Sequence, residues 1–490
     1  MEEKKFSKDM SPGDFKTYGY KIVDWIADYF ENIEKFPVTP SIKPGDIKKL
    51  LPASPPSSSQ SMDEILKDID NIIIPGMTHW NHPDFMAYFN STSSSPGVLA
   101  EFLSAALNVN AMLWLTGPAS VELERVTLNW LRQMVGIPDN FWGIIYDTAS
   151  VSSFHAIAAA REQIPGLQIR EKGIAGRNDI LPFHLYCTDH THSSIDKAAI
   201  TLGIGIEGIR RIPVDKNFCM IPHELQRIIT EDRQNGFLPF CAVATVGTTS
   251  TTSIDPVKEI GEICTAENIW LHVDAAYGGT AAMIPGMERI FNGIELADSI
   301  VINPHKWMFT PIDLSAFYTR KPQVLKRAFS LVAEYLKTEE DSETENLMDY
   351  GIQLGRRFRS LKLWFVIRYF GVEGIINILK EHLRLAKLFA QWIDAHPKFE
   401  RIGLVNFGVV CFRLHPLEIT SDDKLNELNE KLLNVINSTG KLLISHTKVG
   451  GKYIIRICIS GLRTEERHVK QAWILIRKES ERLLGSIKLA

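Results

Sequence analysis

From Pro12 to about Phe36 the apolar residues Phe15, Tyr18, Ile22, Val23, Trp25, Ile26, Tyr29 and Phe30 recur at helical spacing, which predicts an amphipathic helix entered through Ser11-Pro12. Its apolar stripe needs a partner surface. The segment LPASPPSSSQS, residues 51–61, is rich in Pro and Ser and reads as an exposed connector. The middle of the chain alternates short β-branched runs with longer helical patterns, the signature of an α/β fold with a mostly parallel sheet flanked by helices. FCAVATVGT, IWLHVDAA and SIVINPHK are the clearest strands, and each ends in polar or small residues. Ligands of such sheets bind in the crevice beyond the carboxyl ends of the strands. After LKLWFVIRYFG, helical patterns from about 376, strand-like VVCFRL and YIIRICIS, and a closing helix from about Glu465 predict a smaller α+β domain. The expected division is an N-terminal helical arm over 1–94, a large ligand-binding domain over 95–375 and a small domain over 376–490.

Composition narrows the field. With 490 residues, 45% hydrophobic and 23% charged, the chain has ample apolar material for a large core. The formal charge of −4, with both signs interspersed, leaves no electrostatic footprint for nucleic acid or an anionic membrane. Six scattered cysteines form no CxxC pair or Cys/His cluster, so no metal site is expected and they read as buried thiols of a reducing compartment. The N-terminus lacks the apolar stretch of a signal peptide, and no run reaches the length of a membrane span, so a cytoplasmic protein is expected.

The chemistry centres on HVDAA, residues 272–276, and NPHKW, residues 303–307. On a parallel sheet that interval fits a strand, a crossover helix and a return strand, which brings Asp274 and Lys306 to neighbouring strand ends. Alone, such an Asp is usually a cap and such a Lys usually solvated; the pairing changes the weighing. Pyridoxal phosphate (PLP) needs a lysine amine to form an imine with its aldehyde, and a carboxylate that keeps its pyridine nitrogen protonated. Partial desolvation of Lys306, between His305 and Trp307, would favour the neutral amine. A phosphate anchor is expected in DTASVSSFHAIAAAR, residues 147–161, with Ala149 and Ser150 at a helix N-terminus; an ordinary Ser/Thr cap is the commoner use of such a stretch. Asp147 is a repulsive neighbour there unless its side chain turns away. In DHTHSS, His192 is the candidate to stack on the ring, with His190 and His184 as competitors. Thr249, in VGTTSTTSID, is either a contact to ring substituents or a turn residue satisfying its own backbone.

With these residues placed, the chain resembles the group II PLP-dependent decarboxylases, and most closely the aromatic-L-amino-acid decarboxylases. The resemblance runs nearly end to end through PGMTHWNHPDFMAYF, THSS, IWLHVDAAYGG, ADSIVINPHKW and LGRRFRSLKLWFVIRYFG, in the family's order. It implies an aspartate-aminotransferase-like fold, a homodimer with the active site between subunits and the arm in dimerisation, and decarboxylation of an aromatic L-amino acid through cofactor-bound intermediates. It further implies Lys306 as the Schiff-base lysine, Asp274 as the partner of the pyridine nitrogen, Ala276 on the ring face opposite His192, and Asn303 and His305 near the phosphate. Trp80, Tyr88 and Phe89 match part of the aromatic substrate pocket, and Asn90, Asn110 and Met112 stand where relatives often carry proline and more apolar residues. By the same resemblance Tyr335, in an acidic stretch that otherwise reads as a surface loop, protonates the substrate α-carbon from the neighbouring subunit. Tyr335 together with His192 favours the amine as product. An aldehyde synthase or aminotransferase outcome, or an acidic substrate, is the alternative.

Overall fold

The computed structural model describes residues 9–331 and 344–488; Tyr335 lies outside them. A seven-stranded sheet is built from β1 (Trp142–Tyr146), β2 (Phe183–Cys187), β3 (Ile209–Arg211), β4 (Leu238–Thr245), β5 (Trp270–Asp274), β6 (Ser299–Ile302) and β7 (Ser315–Thr319), in the order β1-β7-β6-β5-β4-β2-β3. The pairs from β6 across to β3 are parallel, and only β7 runs against both of its neighbours. Strands β2, β5, β6 and β7 are buried at every position, which explains why they read as apolar runs without alternation. This is the α/β, aspartate-aminotransferase-like architecture expected above.

The crossover from β5 to β6 departs from expectation. The chain makes three 3₁₀ segments, Gly278–Met283, Glu288–Phe291 and Ile294–Leu296, in place of an α-helix. Gly278, Gly279, Pro285, Gly286 and Gly293 interrupt any sustained 3.6-residue period, and at Gly293 (φ +85°) a Cβ would sit 2.3 Å from Lys258 Cα. A Cβ on Gly278 would stand 2.5 Å from the Val246 carbonyl oxygen, so the loops leaving β4 and β5 pass backbone to backbone.

A second, antiparallel sheet joins β8 (Phe399–Ile402), β9 (Val409–Leu414), β10 (Ser445–Val449) and β11 (Lys452–Cys458) in the order β10-β11-β9-β8. The helices Ser360–Asp394, Asp422–Ser438 and Glu466–Lys488 pack with it. The first of these is broken at Gly371 (φ +65°). Val409, Cys411, Ile454 and Cys458 of this sheet belong to the same core cluster as Ala244, Val273 and Ile300 of the large one. One continuous core therefore fixes the two sheets against each other, and the loops between them inherit that rigidity.

The N-terminal helix is Pro12–Glu31, capped by Ser11, whose hydroxyl accepts from Asp14 N. None of its residues is buried, and Phe15 is 65% exposed. Beyond it, Val38 N donates to Gly440 O (2.7 Å) and Met86 N to Leu443 O (2.9 Å), which ties this part of the chain to the small sheet's side. At that junction burial, aided by the Glu34 carboxylate, pushes the Asp84 carboxyl from 3.8 up to about 7. A carboxyl raised on folding is ionised in the unfolded chain while still protonated in the folded one, so its contribution to stability falls as pH rises through that window. Asp84→Asn is therefore expected to raise Tm more at about pH 8 than at about pH 5. Equal gains in thermal melts at both pH values would contradict this.

Candidate active site

Register brings the reacting groups together. In the β4–β5 ladder Thr245 lies opposite Asp274, and in the β5–β6 ladder Asp274 lies opposite Val301, so Asp274 closes the middle strand of three parallel neighbours. Its Oδ1 accepts from Ala276 N at 3.1 Å. Beyond β6, Asn303 N donates to Ala276 O (3.0 Å), and one turn of helix, Pro304–Trp307, follows. Proline at the first helical position suits that turn, because it has no N–H to leave unpaired. Ser91 Oγ donates to His305 O (2.6 Å) and Trp307 Nε1 to His382 Nδ1 (3.0 Å), while Trp307 stacks on Tyr277 with ring centres 4.8 Å apart. The turn is thus pinned on both sides of Lys306, whose Nζ stands 5.1 Å from the centre of the Phe89 ring. Desolvation lowers the Lys306 pKa and the Asp274 carboxylate opposes it, which moves the amine toward the neutral form.

Lys306 and Asp274 line one cavity of about 200 Å³. Ala149, Ser150, His192, Thr249, Ala276, Asn303, His305 and Phe89 line it too, so every residue expected at the cofactor lines this one cavity. His190 instead meets Phe218 edge-on, and His184 lies at the start of β2, so of the three candidates it is His192 that faces the cavity. His192 Nδ1 accepts from Ser194 N (3.1 Å), so the neutral ring carries its proton on Nε2; desolvation lowers its pKa, toward the neutral form. His305 Nδ1 accepts from Leu314 N (2.9 Å), and burial followed by the Lys306 charge pushes its pKa down to about 3.

The cavity fits PLP. The helix Ala149–Glu162 begins with no side-chain cap, which leaves its first N–H groups for an anion. Asp147 does turn away: its Oδ1 accepts from Thr148 N (2.7 Å) and its Oδ2 from Gln353 Nε2 (3.1 Å). Thr245 Oγ1 and Asn303 Oδ1 are buried without a hydrogen-bond partner, and both residues line the cavity. Buried polar atoms are rarely left so unless a ligand supplies the partner.

Thr148, Thr245, Gly247 and Tyr277 line the cavity without having been singled out in the sequence. Thr245 was open to discovery, since pairing FCAVAT with IWLHVD in register sets it beside Asp274. The substrate-pocket candidates separate. Tyr88 and Trp80 stack on each other (6.0 Å) and are more than a third exposed. Asn90 is buried and donates to Phe85 O (2.7 Å), a brace for the turn that presents Phe89. Asn110 and Met112 do not line this cavity; Asn110 Oδ1 accepts from Arg356 N (2.9 Å) and Met112 packs with Leu113 and Met348.

The sequence profile described as "Pyridoxal-dependent decarboxylase conserved domain" matches residues 44–415. A phenylacetaldehyde synthase of Arabidopsis thaliana is 39% identical over 98% of both chains. A tyrosine decarboxylase of Papaver somniferum is 37% identical over 97% of this chain and 96% of its own. Among solved structures, Oryza sativa TDC with PLP and tryptamine superposes with a TM-score of 0.93 at 33% identity, covering 98% of this chain and 100% of that one. The chain belongs to the pyridoxal-dependent decarboxylase family and is a PLP-dependent amino-acid decarboxylase.

Proposed function

We propose that the chain decarboxylates an aromatic L-amino acid, namely tryptophan, tyrosine, phenylalanine or a hydroxylated form, to the amine and CO₂. The observation that carries this reading is the convergence of Lys306, Asp274, His192 and an uncapped helix N-terminus on one cavity that Phe89 flanks. Bound PLP supplies a conjugated ring that accepts the electron pair left at the substrate α-carbon. Lys306 would hold the cofactor by its amine. Asp274 holds the proton on the pyridine nitrogen, and the first turn of Ala149–Glu162 holds the phosphate. His192 and Ala276 bracket the ring, while Thr245, Thr249, Asn303 and His305 offer polar atoms at its edge. Phe89, with Trp80 and Tyr88 on the same segment, would orient the aromatic side chain of the substrate. Tyr335 delivers the proton to the α-carbon.

The phenylacetaldehyde synthase relative supports a second reading, aldehyde formation on the same scaffold. Incubation with a panel of L-amino acids, with amine, aldehyde and CO₂ each measured, separates the two. Amine is the expected product, and aldehyde in its place sinks the first reading. Tyr335→Phe is expected to keep the cofactor yet lose amine formation by about 100-fold or more. Unchanged turnover would refute the role given to Tyr335.

We further propose a homodimer in which the partner supplies Asn110, Met112 and Tyr335 to the site, with residues 1–94 as the arm. The unburied helix Pro12–Glu31 supports it, as do the exposed Leu99, Phe102, Leu103 and Leu107 of the helix Ser95–Leu107. Sedimentation equilibrium should return twice the mass of one chain, and a monomer mass at micromolar concentration would count against it. No helix among the described residues is long and apolar enough to cross a membrane. The six free cysteines support the cytoplasm as the place of work.

A further inference from the structure

A second cavity, of about 450 Å³, opens where β2 begins, between Ile174, Leu181, Ile204 and Phe237. Because β2, β4 and β5 are parallel, it lies at the opposite end of the sheet from Asp274. Its wall contains His184, only 4% exposed and stacked on Phe237 with ring centres 4.0 Å apart. His184 Nδ1 stands 2.8 Å from Asp232 Oδ2, and the same carboxylate oxygen accepts from Tyr186 Oη (2.9 Å) and lies 3.2 Å from Arg210 Nε. A carboxylate held by three donors only accepts, so the proton of the neutral ring sits on Nδ1. In that neutral form Nε2 is a lone pair, and it has no hydrogen-bond partner among the described residues, on a ring that lines the cavity.

A second acceptor lines the same space. Glu207 makes no hydrogen bond or ion pair among the described residues. The cation in the lining, Arg177, is already engaged, with Nε on Asp179 Oδ1 (2.9 Å) and a further N–H on the Leu167 carbonyl. In the lining Leu181 is 51% exposed. Two free acceptors, one of them anionic, beside aliphatic and aromatic walls call for a ligand that brings hydrogen-bond donors, positive charge and an apolar body.

We propose that this cavity is a second small-molecule site that binds protonated amines carrying an aromatic or branched aliphatic group, with the ammonium shared between His184 Nε2 and Glu207. Nothing in the proposed reaction uses His184, Asp232 or Glu207. The amine released by that reaction belongs to the class the cavity accepts, but the site is argued from its own residues and stands whichever product the enzyme forms.

The test is isothermal titration of the PLP-loaded enzyme with N,N-dimethylphenethylamine, a tertiary amine that cannot condense with the cofactor aldehyde. One molecule per chain is expected to bind. Glu207→Gln and Leu181→Lys, both at exposed positions, should each weaken binding by about tenfold or more while substrate turnover is unchanged. His184→Gln should do the same if it folds, and the two surface variants carry the test if it does not. Phenethyl alcohol, without the charge, and phenylpropionate, with the opposite one, should bind at least about tenfold more weakly. Equal affinity in wild type and both surface variants, tighter binding of phenylpropionate, or no heat with millimolar amine would overturn the proposal.

Discussion

Lys306→Ala is expected to yield a folded protein with no covalently attached cofactor and amine formation reduced by about 1,000-fold or more, or about 4 kcal/mol of barrier. The fold should survive because the neighbours that pin the turn do not use the lysine: Ser91 holds the His305 carbonyl, and Trp307 is held by His382 and Tyr277. The side chain faces a cavity, so its loss exposes no packed core. What disappears is an amine whose ammonium form is disfavoured by desolvation, and among the described residues no other lysine lines that space. The measurements are the absorption spectrum after dialysis against excess PLP, together with the melting temperature. A retained band of lysine-bound cofactor would mean that another amine holds it.

Asp274→Asn probes the other end of the site, and its effect should be confined to chemistry. Asparagine keeps the shape and still offers an oxygen to Ala276 N, which Asp274 holds at 3.1 Å. It removes the negative charge proposed to keep the pyridine nitrogen protonated, and with it the proposed support for the ring as an electron acceptor. Cofactor content should stay near wild type, because the proposed phosphate site at the Ala149–Glu162 helix terminus is untouched. Amine formation should fall by about 1,000-fold, with KM changed far less than kcat, as befits a contact made in the transition state. A variant within about tenfold of wild type would remove Asp274 from the proposed role.

These two residues were legible in the sequence for the same physical reason that they are close in space. A parallel sheet buried on both faces writes its strands as apolar runs, and the first polar residues after each run mark the ligand-binding edge. The N-terminal helix was legible because proline in its first turn and a serine cap leave a local signature, and because its apolar stripe has the helical period. The crossover between β5 and β6 was not, since its length suits a helix while its five Gly and Pro residues impose 3₁₀ turns. Strand β7 (SAFYT) also escaped notice, being a five-residue run whose direction is set by what it packs against. Within the site, Tyr277 depends on contacts far apart in sequence, such as its ring against Phe89 at 4.0 Å. Asn110 and Met112 could be matched by family likeness, but a single chain does not carry them to the cavity, where the proposed partner would.

The central claim is that the cofactor is attached at residue 306, and reductive trapping tests it most directly. Borohydride treatment of the PLP-loaded enzyme, followed by proteolysis and mass spectrometry, should find one phosphopyridoxyl group per chain, on the peptide containing Asn303-Pro304-His305-Lys306. A phosphopyridoxyl group on any other lysine, or none after full loading with PLP, would contradict the account.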